Sequence, residues 1–414
     1  MARIGIVSIY DVANYGNRLQ SYALSEAITA LGHDAVVVRN HPFHYSASYE
    51  RRSASRDYSR PLADGEVTEF EKGAHAASAS LPARLGRSVA RLPIPGARLA
   101  PKIAARCDEA AQIGVLDFVK RTLGRQARKR ALTEFSSTHL SVTEETIARP
   151  DQLPGLPDEF DAMVVGSDQV WNPAFRGGFP LDFLPMFPPR TRIAYAPSIG
   201  VRDLSPEYQG HYERMLEGFG HPSAREHSGA ELISDLMGGA DVPVVLDPTM
   251  LLPREQWSRL ADDAPAPARK PFVAVYALRA NNAAFRASVK RTARREGLGV
   301  VDLLSPCLPV PQRNSVPHFV RAIRDAEYVV TDSFHATVFS LLFAKPAAVL
   351  SRSTGQDDRA RSLFDAFGID PDRGFSSADV RPTVPLCADP SAALAPHIER
   401  SQAFLRDALA DALS

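Results

Sequence analysis

Cysteine, net charge and long apolar runs are scarce or missing in this sequence of 414 residues, and each absence excludes a class of protein. Only three cysteines occur, far apart and without CxxC spacing, which argues against a disulfide framework or a zinc site. No apolar run reaches the roughly 18 residues that a membrane-spanning helix requires. Lysine plus arginine and aspartate plus glutamate both number 48, so no net basic surplus indicates a nucleic-acid partner.

The first residues lead directly into the pattern of a buried strand. Met1–Val7 lacks the basic, long apolar and small-residue regions of a signal peptide. Together with the few cysteines, this pattern predicts a protein of the reducing cytoplasm. Any contact with a membrane is then expected to be peripheral, at the inner face.

The length exceeds what one hydrophobic core usually supports, and the apolar runs predict two Rossmann-like, doubly wound α/β domains. Residues 1–260 begin with a strand, a loop, a helix and a second strand. Further short strands are predicted at 162–165, 192–196 and 244–246. Residues 268–390 alternate strands and helices, which again predicts a parallel sheet. Residues 391–414 predict a last helix that packs back on the first domain.

Residues 44–145 interrupt the first domain and predict a helical insertion, because strand signals are few and serine, alanine and arginine are frequent. Between Arg84 and Arg130 there are 12 Lys/Arg against three acids. This basic surplus fits a solvated helical face, and it also fits contact with anionic lipid or a phosphorylated acceptor. The sequence leaves both interpretations open.

Ligands of open parallel sheets bind beyond the carboxyl ends of the strands, and polar segments follow several strands predicted here. The first is Asn14-Tyr15-Gly16-Asn17, in which Gly16 permits close approach of the backbone and Asn17 can cap the next helix. This loop is not a GxGxxG fingerprint, and the chain has no GxxxxGK[ST] sequence. The sequence therefore gives little reason to expect an ordinary dinucleotide-binding site or a P-loop nucleotide-binding site.

A second polar block follows the strand predicted at 162–165. Asp168 is a carboxylate at a strand end, which must be solvated, paired or functional. Gln169 adds a side-chain amide. Trp171 can either contact a substrate or pack in the core of the domain. Ser198 lies in a similar position after the next strand.

The strongest local signal is Asp332-Ser333-Phe334-His335, after the strand predicted at 328–331. Ser333 can cap a helix whose first turn contains His335, near the positive end of the helix dipole. A histidine there can bind phosphate or transfer a proton, and the alternative is a partly buried histidine of structural importance only. Arg225 and Arg352 lie near predicted strand ends and offer planar forks to a carboxylate or phosphate.

Taken together, these segments resemble the polysaccharide pyruvyl transferase family, which transfers pyruvate from phosphoenolpyruvate to two sugar hydroxyls as a cyclic ketal. The similarity covers roughly residues 3–40 and 160–350. It is carried by Asn14–Gln20, Gly166–Pro173, Tyr195–Gly200, Arg225-Glu226, Asp247-Pro248-Thr249, Thr331–His335 and Lys345-Pro346. The resemblance implies a fold like the two-domain GT-B glycosyltransferases, with Arg225 and His335 contacting the donor. No cofactor or metal is expected, because ketal formation requires no metal and no cluster of ligand residues in the sequence suggests one.

Two positions depart from the family pattern. Ser333 stands where some members carry the arginine of an Arg-Leu-His sequence, and Ala336 stands where glycine is common. Without that arginine, Ser333, the helix amides and Arg352 or Arg359 are expected to hold the phosphate. Envelope polysaccharide or glycoconjugate biosynthesis is the expected setting, with a saccharide or lipid-linked saccharide as acceptor.

The hypothesis assigns each candidate residue a role. Arg225 binds the donor's carboxylate or phosphate, His335 binds phosphate or acts as an acid, and Asp168 or Asp332 accepts protons from the acceptor. The remaining substrate-binding candidates are Asn14, Asn17, Gln169, Trp171, Ser198, Ser333 and Arg352.

Two other functions fit the same residues. One is a GT-B glycosyltransferase that uses a nucleotide sugar, because architecture alone does not identify the donor. The other is a non-catalytic sugar-binding member of the family, which the serine at position 333 leaves open.

Overall fold

The computed structural model describes residues 1–10, 14–41, 44–45, 67–68, 115–268, 270–278, 283–304, 311–351, 354–376, 380 and 385–414. Most of the predicted basic insertion lies outside these residues, as do Arg352, Cys107 and Cys307. Within them, no helix has the length and apolar character needed to cross a membrane.

The first domain contains a five-stranded, wholly parallel sheet. Its strands are β1 (Arg3–Val7), β2 (Asp34–Val37), β3 (Ser141–Val142), β4 (Ala162–Val165) and β5 (Arg192–Ala194). Their spatial order is β3-β2-β1-β4-β5. The helices of this half are α1 (Tyr15–Ala30), α2 (Val115–His139), α3 (Pro173–Arg176), α4 (Pro206–Leu216), α5 (His227–Leu236) and α6 (Arg254–Asp262). All four residues of β4 are buried, as expected for a strand covered on both faces.

The second domain repeats this plan with another five-stranded parallel sheet. Its strands are β6 (Phe272–Tyr276), β7 (Gly299–Asp302), β8 (Tyr328–Thr331), β9 (Ala347–Leu350) and β10 (Phe375–Ser376), in the spatial order β10-β9-β8-β6-β7. The helices are α7 (Ala283–Arg295), α8 (Val316–Asp325), α9 (Phe334–Leu342), α10 (Thr354–Ala366), α11 (Pro371–Gly374) and α12 (Pro390–Ala412). The two sheets confirm the predicted class, a GT-B-like pair of Rossmann-like domains.

Each sheet has one point at which the strand order reverses direction. In the first sheet the chain moves outward from β1 to β3 and then returns to place β4 on the other side of β1. In the second sheet the same reversal separates β6 from β8. A crevice opens at the carboxyl ends of the strands at such a point, where ligands bind in open α/β sheets.

The two domains share a hydrophobic core. Tyr15 at the start of α1 stacks on Phe319 of α8, with ring centroids 4.8 Å apart, and its hydroxyl donates to the Asn314 carbonyl. At the other side, α12 packs Leu405 and Leu409 against the first sheet, while Leu394 joins the core of the second domain. The last helix therefore packs on the first domain, as predicted, and also contacts the second.

One strand prediction was wrong. Residues 244–246 form only an isolated bridge from Val244 to Ala224, not a strand. Pro243 and Pro248 flank this segment, and because proline has no N–H to donate, too few residues remain for a ladder. The chain instead turns into a 3-10 helix at Pro248–Met250.

The end of the predicted insertion is helical, since α2 lies within it. A short antiparallel pair, His44–Tyr45 with Val67–Thr68, also lies within it. Arg128 of α2 belongs to the basic stretch, yet it is 9% exposed and donates to the Leu304 carbonyl of the second domain at 3.1 Å. This arginine therefore joins the domains, and membrane contact by the rest of the insertion stays a prediction.

Candidate active site

The crevices of the two sheets face each other, and the start of α1 lies between them. Asn14 caps α1 by accepting a hydrogen bond from the Gly16 N–H at 2.9 Å. The prediction that Asn17 is the cap was therefore wrong, because the helix begins earlier than its apolar pattern indicates. Asn17 instead lies in the first turn and donates its side-chain amide to Asp168 at 2.9 Å.

Gly16 lets the backbone approach the imidazole of His335 from the second domain. A Cβ atom added to Gly16 would lie 2.2 Å from His335 Nδ1, far inside van der Waals contact. The sequence suggested that this glycine makes room for a ligand. The structure shows that it makes room for a side chain of the site itself.

Substituting Gly16 with alanine is expected to displace the His335 ring. The kcat of the expected pyruvyl transfer should fall roughly 10- to 100-fold, since small displacements of reacting groups lower the rate strongly. The fold should tolerate the change, because alanine favours helix more than glycine does. The matched control is Gly155→Ala, where an added Cβ meets nothing within 4 Å. Equal kcat values for the two variants would refute this account, and thermal unfolding would reveal any general damage.

Arg225 lies at the centre of the site, only 4% exposed, and bridges two carboxylates. Its Nη2 donates to Asp168 Oδ1 at 3.2 Å, and its Nη1 donates to Asp247 Oδ2 at 2.8 Å. Asp247 also accepts from the Ser167 hydroxyl and from the Thr249 N–H and hydroxyl. We call Asp168, Arg225, Asp247 and His335 the central cluster.

His335 enters the central cluster from the first turn of α9. Its Nε2 lies 3.6 Å from Asp247 Oδ2, beyond hydrogen-bond distance, so the attraction between them is electrostatic. The ring is 6% exposed, and within the described residues Nε2 is buried without a hydrogen-bond partner. This nitrogen is therefore a candidate for contact with a substrate.

Both aspartates of the central cluster ionise more readily than usual. Burial alone would raise their pKa values, but the charges of Arg225, His335 and Arg359 outweigh burial at Asp168 and lower its pKa. At Asp247, burial is opposed by His335, Arg225 and the Thr249 hydrogen bond, which hold its pKa well below the usual range. The same carboxylates, with Glu226, raise the pKa of Arg225 in spite of its burial.

These lowered pKa values predict how stability depends on pH. A carboxyl whose pKa is lower in the folded state stabilises the fold above the ordinary pKa of about 4, and the effect is lost as pH falls further. Asp247→Asn should therefore unfold at a lower temperature than wild type at pH 7. The difference between the two unfolding temperatures should become smaller as the pH falls from about 5 to about 3. Thermal unfolding across this range tests the prediction, with exposed Asp235→Asn as control. A gap independent of pH would contradict it.

Three of the predicted site residues are structural in position: two predicted to bind substrate, Trp171 and Ser198, and one predicted to accept protons, Asp332. Trp171 is fully buried, donates its indole N–H to the Asp182 carbonyl at 2.7 Å and stacks on Phe183, so no surface remains for a substrate. Ser198 is also fully buried and donates to Glu226 Oε1 at 2.8 Å. Asp332 accepts the Leu278 N–H at 2.7 Å, which joins the ends of β6 and β8.

Ser333 and Gln169 keep polar atoms near the crevices. Ser333 is the N-cap residue of α9, as expected, but its hydroxyl makes no capping hydrogen bond. The Gln169 Nε2 is buried without a hydrogen-bond partner within the described residues. Both groups remain candidates for contact with a substrate.

The sequence did not single out Asp247 or Phe334 as site residues. Asp247 follows an apolar run, which was a usable signal, and the Phe334 ring lies 4.2 Å from the Arg225 guanidinium carbon. A cavity of about 130 Å³ opens beside these side chains and is lined by Arg225, Asp247, Phe334 and Arg359. Since a single water needs roughly 10–15 Å³, there is room here for a small anion.

The described residues contain no group of three or more side chains suited to a metal ion.

Most of the chain matches a known protein family. Residues 14–354 match the family described as polysaccharide pyruvyl transferase. No curated protein matches the sequence significantly. The match includes all four residues of the central cluster. The solved structures that the chain resembles are distant. They are a glycosyltransferase from Streptomyces sp. SF2575 (12% identity, TM-score 0.37, covering 98% of this chain and 96% of that one), a UDP-GlcNAc 2-epimerase from Neisseria meningitidis bound to UDP-GlcNAc (11% identity, TM-score 0.41, covering 99% and 100%) and the spinosyn rhamnosyltransferase SpnG (15% identity, TM-score 0.37, covering 99% and 96%). Because the family match spans most of its length, the chain belongs to the polysaccharide pyruvyl transferase family.

Proposed function

We propose that this protein transfers pyruvate from phosphoenolpyruvate to two hydroxyls of a saccharide, forming a cyclic ketal and releasing phosphate. The observation that carries the proposal is the central cluster. A buried arginine and a histidine with an available nitrogen converge at facing crevices of two Rossmann-like domains. An anionic donor and a reaction that moves protons both require such groups.

The reaction moves protons at three stages. As a proton reaches the methylene carbon of the enol phosphate, one sugar hydroxyl forms a bond to the neighbouring carbon. The bond between that carbon and the phosphate oxygen then breaks, and the second hydroxyl closes the ketal. Of the two protons that the hydroxyls lose, one replaces the proton given to carbon and the other leaves with phosphate.

His335 is the residue best suited to transfer these protons. An efficient general acid or base has a pKa near the working pH, and histidine is the side chain that most often serves in this role in enzymes. Asp168 and Asp247 are poor bases by the same criterion, because their pKa values are lowered. We therefore assign the two aspartates to holding Arg225 in place, and this assignment replaces the expectation that Asp168 accepts protons.

Arg225 is assigned to the donor. Its guanidinium is held by Asp168 and Asp247 and lies against the Phe334 ring, so its orientation is defined before the donor arrives. Preorganised positive charge of this kind stabilises the developing charge of a departing phosphate.

The test is incubation of the purified protein with phosphoenolpyruvate and a panel of saccharides, followed by mass spectrometry for the gain of a pyruvylidene group. Phosphate release in step with that gain would support the proposal. Stabilisation by nucleotides such as UDP or GDP, with no response to phosphoenolpyruvate, would instead support a glycosyltransferase. Absence of transfer over a broad acceptor panel would refute the proposal.

A further inference from the structure

Three buried carboxylates surround Arg225, and this excess of negative charge has to be balanced before an anion can bind. Asp168 and Asp247 contact the guanidinium directly. Glu226, which is 1% exposed, adds its charge from the next position in the chain. Arg225 and His335 carry at most two positive charges against these three carboxylates, so a donor that carries a phosphoryl group and a carboxylate would be repelled unless further positive charge were present.

Arg359 supplies a second buried guanidinium group at this place. It belongs to α10 of the second domain, is 5% exposed, and places Nη1 4.0 Å from Asp168 Oδ1. Its guanidinium carbon lies 6.0 Å from the centre of the Phe334 ring, and that of Arg225 lies 4.2 Å from the same centre. Two arginines from different domains therefore converge on one aromatic ring.

The cavity beside the ring shows where an anion would fit. Arg225 and Arg359 both line it, one from each domain, and the Phe334 ring lines it as well. Aromatic faces attract guanidinium groups, which helps to hold both arginines beside the cavity. A phosphoryl group offers several oxygens, which suits two guanidinium forks better than a flat carboxylate does.

We propose that Arg359 is a second donor-binding arginine, which holds the phosphoryl group of the donor together with Arg225 in this cavity. The identity of the donor rests on the proposed function, whereas the anion site itself does not. This arginine supplies from α10 the positive charge that Ser333 lacks at the start of α9.

Two contacts between the domains hold α10 in this place. Arg202 of the first domain donates to both oxygens of Asp358, each at 2.7 Å, and the His227 N–H donates to the Ser362 hydroxyl at 3.1 Å. Asp358 and Ser362 lie one helical turn apart on either side of Arg359. We therefore assign Asp358 as a positioning residue for Arg359.

The experiment compares Arg359→Gln with wild type by titration calorimetry, with phosphoenolpyruvate, inorganic phosphate and pyruvate as separate probes. Loss of charge-assisted hydrogen bonds should weaken binding of phosphoenolpyruvate and phosphate about 10- to 100-fold and leave pyruvate binding unchanged. Arg359→Lys keeps the positive charge but not the planar guanidinium with its paired donors, so its affinity for phosphate should lie between those of wild type and Arg359→Gln. The matched control is Arg361→Gln on the same helix, an exposed arginine next to Phe375.

Phosphate affinity within twofold of wild type in Arg359→Gln would overturn the proposal, as would a wild-type protein that binds no phosphate. A loss of pyruvate affinity instead would overturn the assignment to the phosphoryl group. Thermal unfolding of each variant shows whether a loss of affinity reflects misfolding. Arg359→Lys serves as the second variant if Arg359→Gln fails to fold. If wild type binds phosphate through Arg359 yet transfers no pyruvylidene group, the proposed function fails and the anion site stands.

The positioning role is tested by combining substitutions. Asp358→Asn should weaken phosphate binding in the wild-type background and have no further effect in the Arg359→Gln background. A merely structural role would weaken binding equally in both backgrounds, and that result would overturn the assignment of Asp358.

Discussion

Replacing His335 with alanine is expected to lower kcat for pyruvyl transfer by roughly 100- to 10,000-fold, the usual contribution of a residue that transfers protons. Its Nε2 is buried, lacks a hydrogen-bond partner within the described residues and lies beside Asp247. Donor affinity should fall less than kcat, because Arg225 remains in place. Phosphate release with a saccharide acceptor, measured alongside a donor titration, separates the two effects.

The matched control is His33→Gln, which lies in the turn before β2 at the opposite end of the first sheet. It should retain wild-type kinetics. Added imidazole should restore part of the activity of His335→Ala if proton transfer is the role that was lost. Full transfer by His335→Ala without imidazole would show that another group moves the protons.

Replacing Arg225 with methionine is expected to lower both donor affinity and stability. The substitution leaves Asp168 and Asp247 buried without their shared partner, and breaking a buried ion pair in this way costs about 3–5 kcal/mol. Donor affinity should fall by 100-fold or more, because the central positive charge is lost. Thermal unfolding and titration with phosphoenolpyruvate measure the two losses separately.

Two further variants separate binding from stability. Arg176→Met removes another buried arginine, which is paired with Asp182 at 2.6 Å, and should lower stability with a much smaller effect on donor affinity. The triple variant Arg225→Met, Asp168→Asn, Asp247→Asn removes the unpaired charges and should regain stability without regaining donor binding. Binding of the donor by the triple variant at wild-type strength would rule out a donor role for Arg225.

Most of the strands could be predicted from the sequence. The bounds expected for β4 and β8 agree with the structure, because each is a short apolar run bounded by polar or turn-forming residues. The segment 244–246 has a similar apolar pattern but forms no strand. Pairing depends on a neighbouring strand and on free N–H groups, and the apolar pattern reports neither of them.

Part of the candidate site could also be predicted. Asp168, Arg225 and His335 were selected because they lie near the carboxyl ends of predicted strands, and the structure brings them into one cluster. Trp171 was selected by the same reasoning and lies in the core. Position after a strand does not tell whether the chain turns a side chain toward the crevice or the interior.

The sequence by itself determined the alternation of strands and helices, and with it the two parallel sheets whose strand ends carry the polar residues. Only the tertiary structure decided which of those residues meet. The imidazole of His335 rests on Gly16, Arg225 joins Asp168 to Asp247, and Arg359 reaches the same place from α10. These contacts link residues far apart in the chain and depend on how the domains pack, whereas apolar periodicity and capping residues report only on near neighbours along the chain.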